Sequence, residues 1–210
     1  MIRKHLKTLI ITSIVILLPI VVGLFLWNRL PEQLAAHWNI NGEVDGWFSK
    51  PFAVFGLPLI MVAVQWLCAF VTGTDPKKTA HSQKVIHLVL WLIPAVTVFL
   101  MAITYAVALG VAVSVEVLMN VFFGLMFTVI GNYLPKSKQN YTIGIKLPWT
   151  LNSEENWNRT HRMAGWLWML CGIFVILTSF LGLFWLLFAV LMVMVLVPLI
   201  YSYVLHKKGI

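Results

Sequence analysis

The sequence predicts an all-α membrane protein with six transmembrane helices, a small extracellular β-hairpin and a cytoplasmic loop that ends in an amphipathic helix. Of its 210 residues, 60% are hydrophobic and only 10% are charged. Soluble domains contain roughly 45–50% apolar residues and about 25% charged residues. Six apolar runs are each long enough to cross about 30 Å of hydrocarbon. The basic residues lie in short segments between these runs, so the net charge of +8 indicates membrane topology and not direct nucleic-acid binding.

The apolar runs define the predicted spans and three regions of the chain. The first run exceeds the apolar part of a secretory signal and has no small-residue cleavage site, so we interpret it as a retained membrane anchor. The spans are predicted at 6–27, 52–72, 85–109, 113–134, 164–181 and 184–205. The regions are 1–51 with the first helix and the outer segment, 52–112 with the second and third helices, and 113–210 with the remainder.

The distribution of basic residues predicts the orientation. If both ends of the chain are inside, 13 of its 15 Lys and Arg residues lie in inner segments, and only Arg29 and Lys50 lie in outer ones. The opposite orientation would reverse this bias, which the positive-inside rule disfavours.

Several residues within the spans have structural and functional interpretations. Cys68 and Cys171 lie in apolar runs and are interpreted as small apolar side chains. Glu116 and His87 lie near span ends, where water reaches them, although Glu116 leaves open an ion-coupled transporter. Four prolines remove backbone hydrogen bonds, which neighbouring helices must satisfy; they are Pro19, Pro58, Pro94 and Pro198.

The outer segment, residues 28–51, contains a hairpin signal. Asn41-Gly42 lies between two short alternating stretches, and this dipeptide suits a type I′ turn because both central residues need positive φ. Pro31 is suited to open a helical turn before the hairpin. His37, Glu43 and Asp45 are candidate metal ligands, but their spacing is not typical of zinc. The alternative is that they hold the loop together by hydrogen bonds.

The inner segment, residues 132–163, starts extended and ends helical. Pro135, Gly144 and Pro148 prevent a long helix in its first half. Asn152 followed by Glu155 has the form of a capping box, which predicts a helix start. The predicted face of this helix contains Trp157, His161, Ala164, Gly165 and Trp168.

Both segments resemble the SdpI family of bacterial multi-span proteins. The first element matches at Leu30, Pro31, Leu34, His37, Trp38, Asn39, Gly42, Asp45, Gly46, Trp47 and Lys50. The second matches over 131–136 and 140–165, including Asn132, Pro135, Asn140, Gly144, Pro148, Trp149, Thr150, Trp157, Thr160, His161, Arg162 and Gly165. Lys146 stands where the family has Arg, and it keeps the charge without the bidentate geometry.

The resemblance implies an immunity protein of the bacterial cytoplasmic membrane that protects its host from a secreted peptide toxin. It also implies that the protein holds a small cytoplasmic transcriptional repressor at the membrane, with the inner loop reporting that toxin is bound. Membrane lipids are the remaining expected partner, and no cofactor or catalytic residue is implied. His37–Lys50 would face the toxin, and the second set of matched residues would form the inner signature.

Two other classes of protein remain open from the residues alone. The interpretation as a transporter or exporter is supported by Glu116 and by the prolines within the spans. The sequence has no visible internal repeat of the kind that many transporters contain. A membrane enzyme would need His161 and Glu154 or Glu155 as an acid–base pair, but their helical spacing places neither carboxylate within hydrogen-bond reach.

Overall fold

A computed structural model describes residues 2–39, 43–77, 82–183 and 185–210. Within those ranges six helices are long and apolar enough to cross a membrane, which confirms the predicted fold class. The elements are α1 (Ile2–Phe25), β1 (Gln33–Trp38), β2 (Val44–Ser49), α2 (Leu57–Gly73, after a π-helical turn Phe52–Gly56), α3 (Gln83–Ala108), α4 (Val115–Tyr133), a 3₁₀ turn (Leu134–Lys136), α5 (Pro148–Asn152), α6 (Glu154–Thr178, followed by a 3₁₀ turn Ser179–Leu181) and α7 (Leu186–Lys207).

Five of the predicted spans agree closely with these helices, and the fifth starts earlier than predicted. The amphipathic helix of the inner segment and the fifth span form one continuous helix, α6. Its N-cap is Ser153, whose hydroxyl accepts a hydrogen bond from the backbone N–H of Asn156 at 3.1 Å. Asn152, the predicted cap, instead ends the short helix α5.

The chain divides into two compact units. The first comprises Met1–Gly73 and Val89–Val115, and the second comprises Thr74–Leu88 and Glu116–Ile210. In the first unit, a buried cluster joins the hairpin to the π-helical turn before α2 and to the last turns of α3; it consists of Leu30, Leu34, Ala53, Val54, Met101 and Tyr105. The hydroxyl of Tyr105 also donates to the carbonyl of Pro19 at 2.9 Å, linking α3 to α1.

Two of the span prolines have their lost backbone bonds replaced from a neighbouring helix. Proline has no N–H, so the carbonyl four residues earlier loses its helical donor. For Pro94 that carbonyl belongs to Leu90, and the side-chain amide of Gln65 on α2 donates to it at 3.2 Å. For Pro198 it belongs to Met194, which accepts the indole N–H of Trp168 on α6 at 3.1 Å. Both contacts agree with the prediction that neighbouring helices satisfy such carbonyls.

In the second unit, α4 and α6 pack backbone against backbone at two pairs of glycines. A Cβ placed on Gly131 would lie 2.7 Å from the carbonyl oxygen of Gly165, and one on Gly124 would lie 2.6 Å from that of Gly172. Both helices space their glycines seven residues apart, and the pairing order shows that the helices run antiparallel. Small residues permit this approach, which favours packing between membrane helices.

Candidate functional site

The hairpin confirms the prediction made from Asn41-Gly42, although that dipeptide, and with it the matched residue Gly42, lies outside the described residues. β1 and β2 pair antiparallel, with Leu34 opposite Phe48 and Ala35 opposite Trp47. The helical turn predicted at Pro31 is wrong, because β1 starts at Gln33. The backbone N–H of Lys50 donates to the carbonyl of Glu32 at 2.8 Å, so the chain is already extended there.

His37 and Asp45 form an exposed pair on the hairpin. The Nδ1 of His37 lies 2.5 Å from Oδ1 of Asp45, and the two side chains are 71% and 45% exposed. His37 stands opposite Gly46, with the pairing register shifting on either side of it. A Cβ on Gly46 would lie 2.9 Å from the Cβ of His37. The matched Asp45-Gly46 sequence therefore supplies the acceptor for His37 and the space beside it.

Lys50 fixes the base of the hairpin. It is buried, and its ammonium donates to the carbonyl of Leu30 at 3.0 Å and to that of Trp27 at 3.5 Å. It also forms an ion pair with Glu32 at 2.9 Å and lies 5.2 Å from the centre of the Trp27 ring. A buried ammonium needs such partners because desolvation is costly. The predicted toxin-facing role of Lys50 is therefore replaced by a structural one: its charge holds the hairpin to the end of α1.

The remaining polar groups of the hairpin bond locally. Asn39 and Glu43 are joined by three hydrogen bonds. The Asn39 amide donates to the Glu43 carboxylate at 3.0 Å, the Glu43 backbone N–H donates to Oδ1 of Asn39 at 3.0 Å, and the Asn39 backbone N–H donates to the Glu43 carbonyl at 2.9 Å. Glu43 therefore bonds Asn39 whereas Asp45 bonds His37. Over the described residues, no three His, Cys, Asp or Glu side chains are grouped so that they could hold a metal ion. Trp38 is half-buried, whereas Trp47 is exposed.

The second set of matched residues lies within and next to residues 134–153, a segment that we term the signature loop. Asn140 is fully buried and organises its first half. Its side-chain oxygen accepts the backbone N–H groups of Thr142 and Ile143 at 2.8 and 2.6 Å, and its amide donates to the carbonyls of Lys138 and Ile143, both at 2.8 Å. Asparagine suits this position because it has both donors and acceptors.

His161 lies against the second half of the signature loop. Its ring stacks on that of Trp157 with a centroid distance of 4.0 Å. Its Nε2 accepts the backbone N–H of Ile145 at 2.9 Å, so its Nδ1–H donates to the carbonyl of Trp157 at 2.8 Å. This geometry requires neutral imidazole, since a protonated Nε2 would face another donor. Both ring nitrogens are thus used by backbone groups, and neither is bonded to Glu154 or Glu155, the carboxylates of the enzyme alternative.

Gly144 is the point where the loop meets these two rings. Its φ is +124°, a region that residues with a side chain rarely adopt. A Cβ there would lie 2.5 Å from Nε2 of His161 and 2.9 Å from the ring of Trp157. The indole N–H of Trp157 donates to the carbonyl of Ser137 at 2.7 Å. Gly144 is thus required by backbone conformation and by space.

Other matched residues join α5 and α6 to their surroundings. Thr150 is buried and accepts the backbone N–H of Leu147 at 2.9 Å, with Pro148 in the first turn of α5. Thr160 donates to the side chain of Asn156 at 3.1 Å. The indole N–H of Trp149 donates to the hydroxyl of Ser202 on α7 at 2.8 Å. These residues maintain the fold of the second unit.

Several of the exposed matched residues are basic. Lys136, Lys146 and Arg162 are exposed, as are the unmatched Lys138 and Arg159. Lys146 donates to the carbonyl of Thr142 at 3.1 Å, a single bond for which lysine is sufficient. Five exposed basic side chains therefore lie in and next to the loop, beside the exposed carboxylates of Glu154 and Glu155, whereas the buried matched residues form its interior.

Sequence reasoning missed Asp75, which is buried and belongs to the same network. Its carboxylate accepts the backbone N–H of Tyr141 at 3.0 Å and the hydroxyl of Thr142 at 2.8 Å. The signal was available in part, because Asp75 is the one acidic residue between positions 46 and 115. Asn156 was also missed; it is fully buried and donates to the carbonyl of Ser202 on α7 at 2.9 Å.

The fold and these two segments define a multi-pass membrane protein with a hairpin and a signature loop. Residues 136–202 match the model of the SdpI/YfhL protein family, and residues 14–62 match a domain of unknown function, DUF1648. The chain is 26% identical to Immunity protein SdpI of Bacillus subtilis (strain 168) over 174 aligned residues. This alignment covers 83% of the present chain and 82% of the relative. No solved structure matches the chain. The resemblance to the SdpI family predicted from the two motifs is confirmed.

Proposed function

We propose that this chain is an integral membrane immunity protein that protects its cell from a secreted antimicrobial peptide by binding it at the membrane. The similarity to an immunity protein along most of both chains supports the role. The observation that carries the binding mode is the exposed His37–Asp45 pair beside exposed Trp47 on a hairpin with a fixed base. An aromatic ring next to a polar pair is suited to an amphipathic peptide.

The proposed orientation places the hairpin outside and the signature loop inside the cytoplasmic membrane, with both chain ends inside. Labelling with a membrane-impermeant maleimide is expected to modify Glu43→Cys on intact cells and Asn152→Cys only after permeabilisation. Cys68 and Cys171 are free thiols and are first replaced by serine. This result is expected because segments rich in Lys and Arg remain on the inner side of the membrane. The reverse labelling pattern would refute the orientation and with it the proposed binding surface.

Expression in a sensitive bacterial strain tests the immunity role against a panel of purified amphipathic antimicrobial peptides. We expect the minimal inhibitory concentration of at least one peptide to rise about tenfold, and His37→Ala or Asp45→Asn to abolish the rise at equal membrane abundance. A tenfold change corresponds to about 1.4 kcal/mol of binding free energy, close to the lower end of the range of about 1.5–3 kcal/mol for a hydrogen bond to a charged group.

Glu32→Gln is the matched control, because it removes one carboxylate charge from the same hairpin at a side chain that is 88% exposed. It should retain resistance, since Lys50 keeps its hydrogen bonds to the carbonyls of Leu30 and Trp27 and the side chain of residue 32 lies in solvent. Unchanged sensitivity to every peptide tested, or equal loss in Glu32→Gln, would contradict specific binding by the hairpin.

A second proposed role is the holding of a small cytoplasmic transcriptional repressor by the signature loop. Its support is the pair of exposed lysines in this loop, Lys138 and Lys146, which suit an acidic partner. The role is separable from immunity because the hairpin variants leave this surface unchanged. A repressor that stays in the soluble fraction beside membranes carrying the chain would refute it.

A further inference from the structure

A pocket of about 360 Å³ lies between the end of α4 and the first half of α6, and the proposed functions do not use it. Its lining residues are Asn132, Pro135, Lys136, Arg162, Trp166 and Met169. Pro135 and Lys136 follow Asn132 by three and four residues. On α6, Trp166 follows Arg162 by four residues and Met169 follows Trp166 by three, so each group lies on one helical face. Gly131 and Gly165 bring the two backbones into contact next to the pocket.

The polar part of the pocket is cationic. Lys136 and Arg162 are both exposed, and none of the lining residues is acidic. Lys136 lies 3.4 Å from the side-chain oxygen of Asn132 and 4.5 Å from the centre of the Tyr133 ring. Within the described part of the chain Arg162 has no side-chain partner, whereas Arg159, one turn away, is paired with Glu155 at 2.5 Å. A free guanidinium is suited to bind the oxygens of a phosphate in bidentate geometry.

The other side of the pocket is apolar and continues along α6. Trp166 is 64% exposed and Leu170 is 63% exposed, and Ile173, Phe174 and Leu177 prolong this surface. In a membrane-spanning helix such a surface faces acyl chains, and tryptophan favours the depth of the headgroups. The pocket thus places two cations directly beside hydrocarbon.

We propose that this pocket binds the headgroup phosphate of an anionic phospholipid, with Lys136 and Arg162 on the phosphate and Trp166 and Met169 against the start of the acyl chains. The shared chemistry is a phosphate anion, which a free phosphate also has. The apolar wall favours the lipid, because inorganic phosphate gains nothing from Trp166. The proposal does not rest on the immunity function, since none of these residues lies in the hairpin.

Native mass spectrometry of the purified full chain, titrated with phosphatidylglycerol or phosphatidylcholine, tests this site. We expect the chain to retain phosphatidylglycerol with about tenfold preference, and Lys136→Gln/Arg162→Gln to reduce the preference to parity. The matched control is Lys138→Gln/Arg159→Gln, which removes the same charge from the same segments outside the pocket and should keep the preference. Trp166→Ala is expected to weaken phosphatidylglycerol binding several-fold. Because the Trp166 side chain is exposed, this change should leave the fold intact.

The outcomes separate the possible sources of binding. Equal loss in the control variant would mean that the general positive charge attracts the lipid, and it would overturn the pocket. Displacement of the lipid by millimolar inorganic phosphate, with no effect of Trp166→Ala, would assign the site to a free anion and overturn the lipid headgroup. Equal retention of both lipids by the unmodified chain would also overturn the proposal.

Discussion

Gly144→Ala is expected to destabilise the second unit by about 3 kcal/mol or more. Strained backbone conformations cost roughly 1–3 kcal/mol, and overpacking a buried site adds about 1–3 kcal/mol. The new methyl group would meet Nε2 of His161 and the ring of Trp157, and moving His161 would break its bond from the Ile145 backbone. Denaturant unfolding of the purified chain in detergent, followed by tryptophan fluorescence, measures the loss.

Gly110→Ala provides the matched control for this substitution. Gly110 also has positive φ, +75°, but nothing lies within 4 Å of a Cβ placed there. It should therefore show only the backbone cost of about 1 kcal/mol. Equal losses in the two variants would mean that the contact with His161 and Trp157 contributes nothing to the stability of the loop.

Gly131→Ala and Gly165→Ala are each expected to destabilise the α4–α6 pair by about 2 kcal/mol. Within a helix, alanine is more stable than glycine by roughly 0.5–1 kcal/mol. Whether these substitutions raise or lower the stability therefore depends on whether the new methyl group has room. A Cβ on Gly131 would lie 2.7 Å from the backbone of α6, and one on Gly165 would lie 2.7 Å from the ring of Pro135. Backbone atoms cannot rotate away, so the helices must separate and lose contacts. Thermal unfolding of the purified variants in detergent measures this loss.

Leu170→Ala is the control on the same helix. Leu170 is 63% exposed, so its truncation changes side-chain size without altering the contact between the helices. It should change stability by less than about 0.5 kcal/mol. If Gly131→Ala were neutral or stabilising, the close approach of the two backbones would be refuted.

The elements with strong local signals were predictable from the sequence. The six spans follow from apolar length, and the hairpin follows from alternation around Asn41-Gly42, because both signals depend on neighbouring residues. The fifth helix was predicted to start too late. The polar stretch from Glu154 dilutes the apolar signal, although its buried face, including Trp157 and His161, continues the same helix.

The interior of the signature loop was predicted only as a set of matched residues. The motif identified Asn140, Gly144 and His161, but their contacts join positions that are distant along the chain. The bond from Ile145 to His161 crosses 16 residues, and the bond from Tyr141 to Asp75 crosses 66. No periodicity reports such contacts, so Asp75 was missed. Lys50 was expected to face a toxin because it matches the family motif of the outer segment, whereas backbone carbonyls stabilise it in a buried position.

The proline-associated contacts have a consequence for how the chain enters the bilayer. Gln65 and Trp168 each supply a donor to the helix that follows their own in the sequence. An uncompensated carbonyl in hydrocarbon costs several kcal/mol. Since synthesis proceeds from the N-terminus, each donor has been made before the proline-bearing helix that needs it. We therefore expect α2 and α3 to leave the translocon as a pair of helices, and likewise α6 and α7. In each pair, the first helix supplies the donor for the free carbonyl of the second.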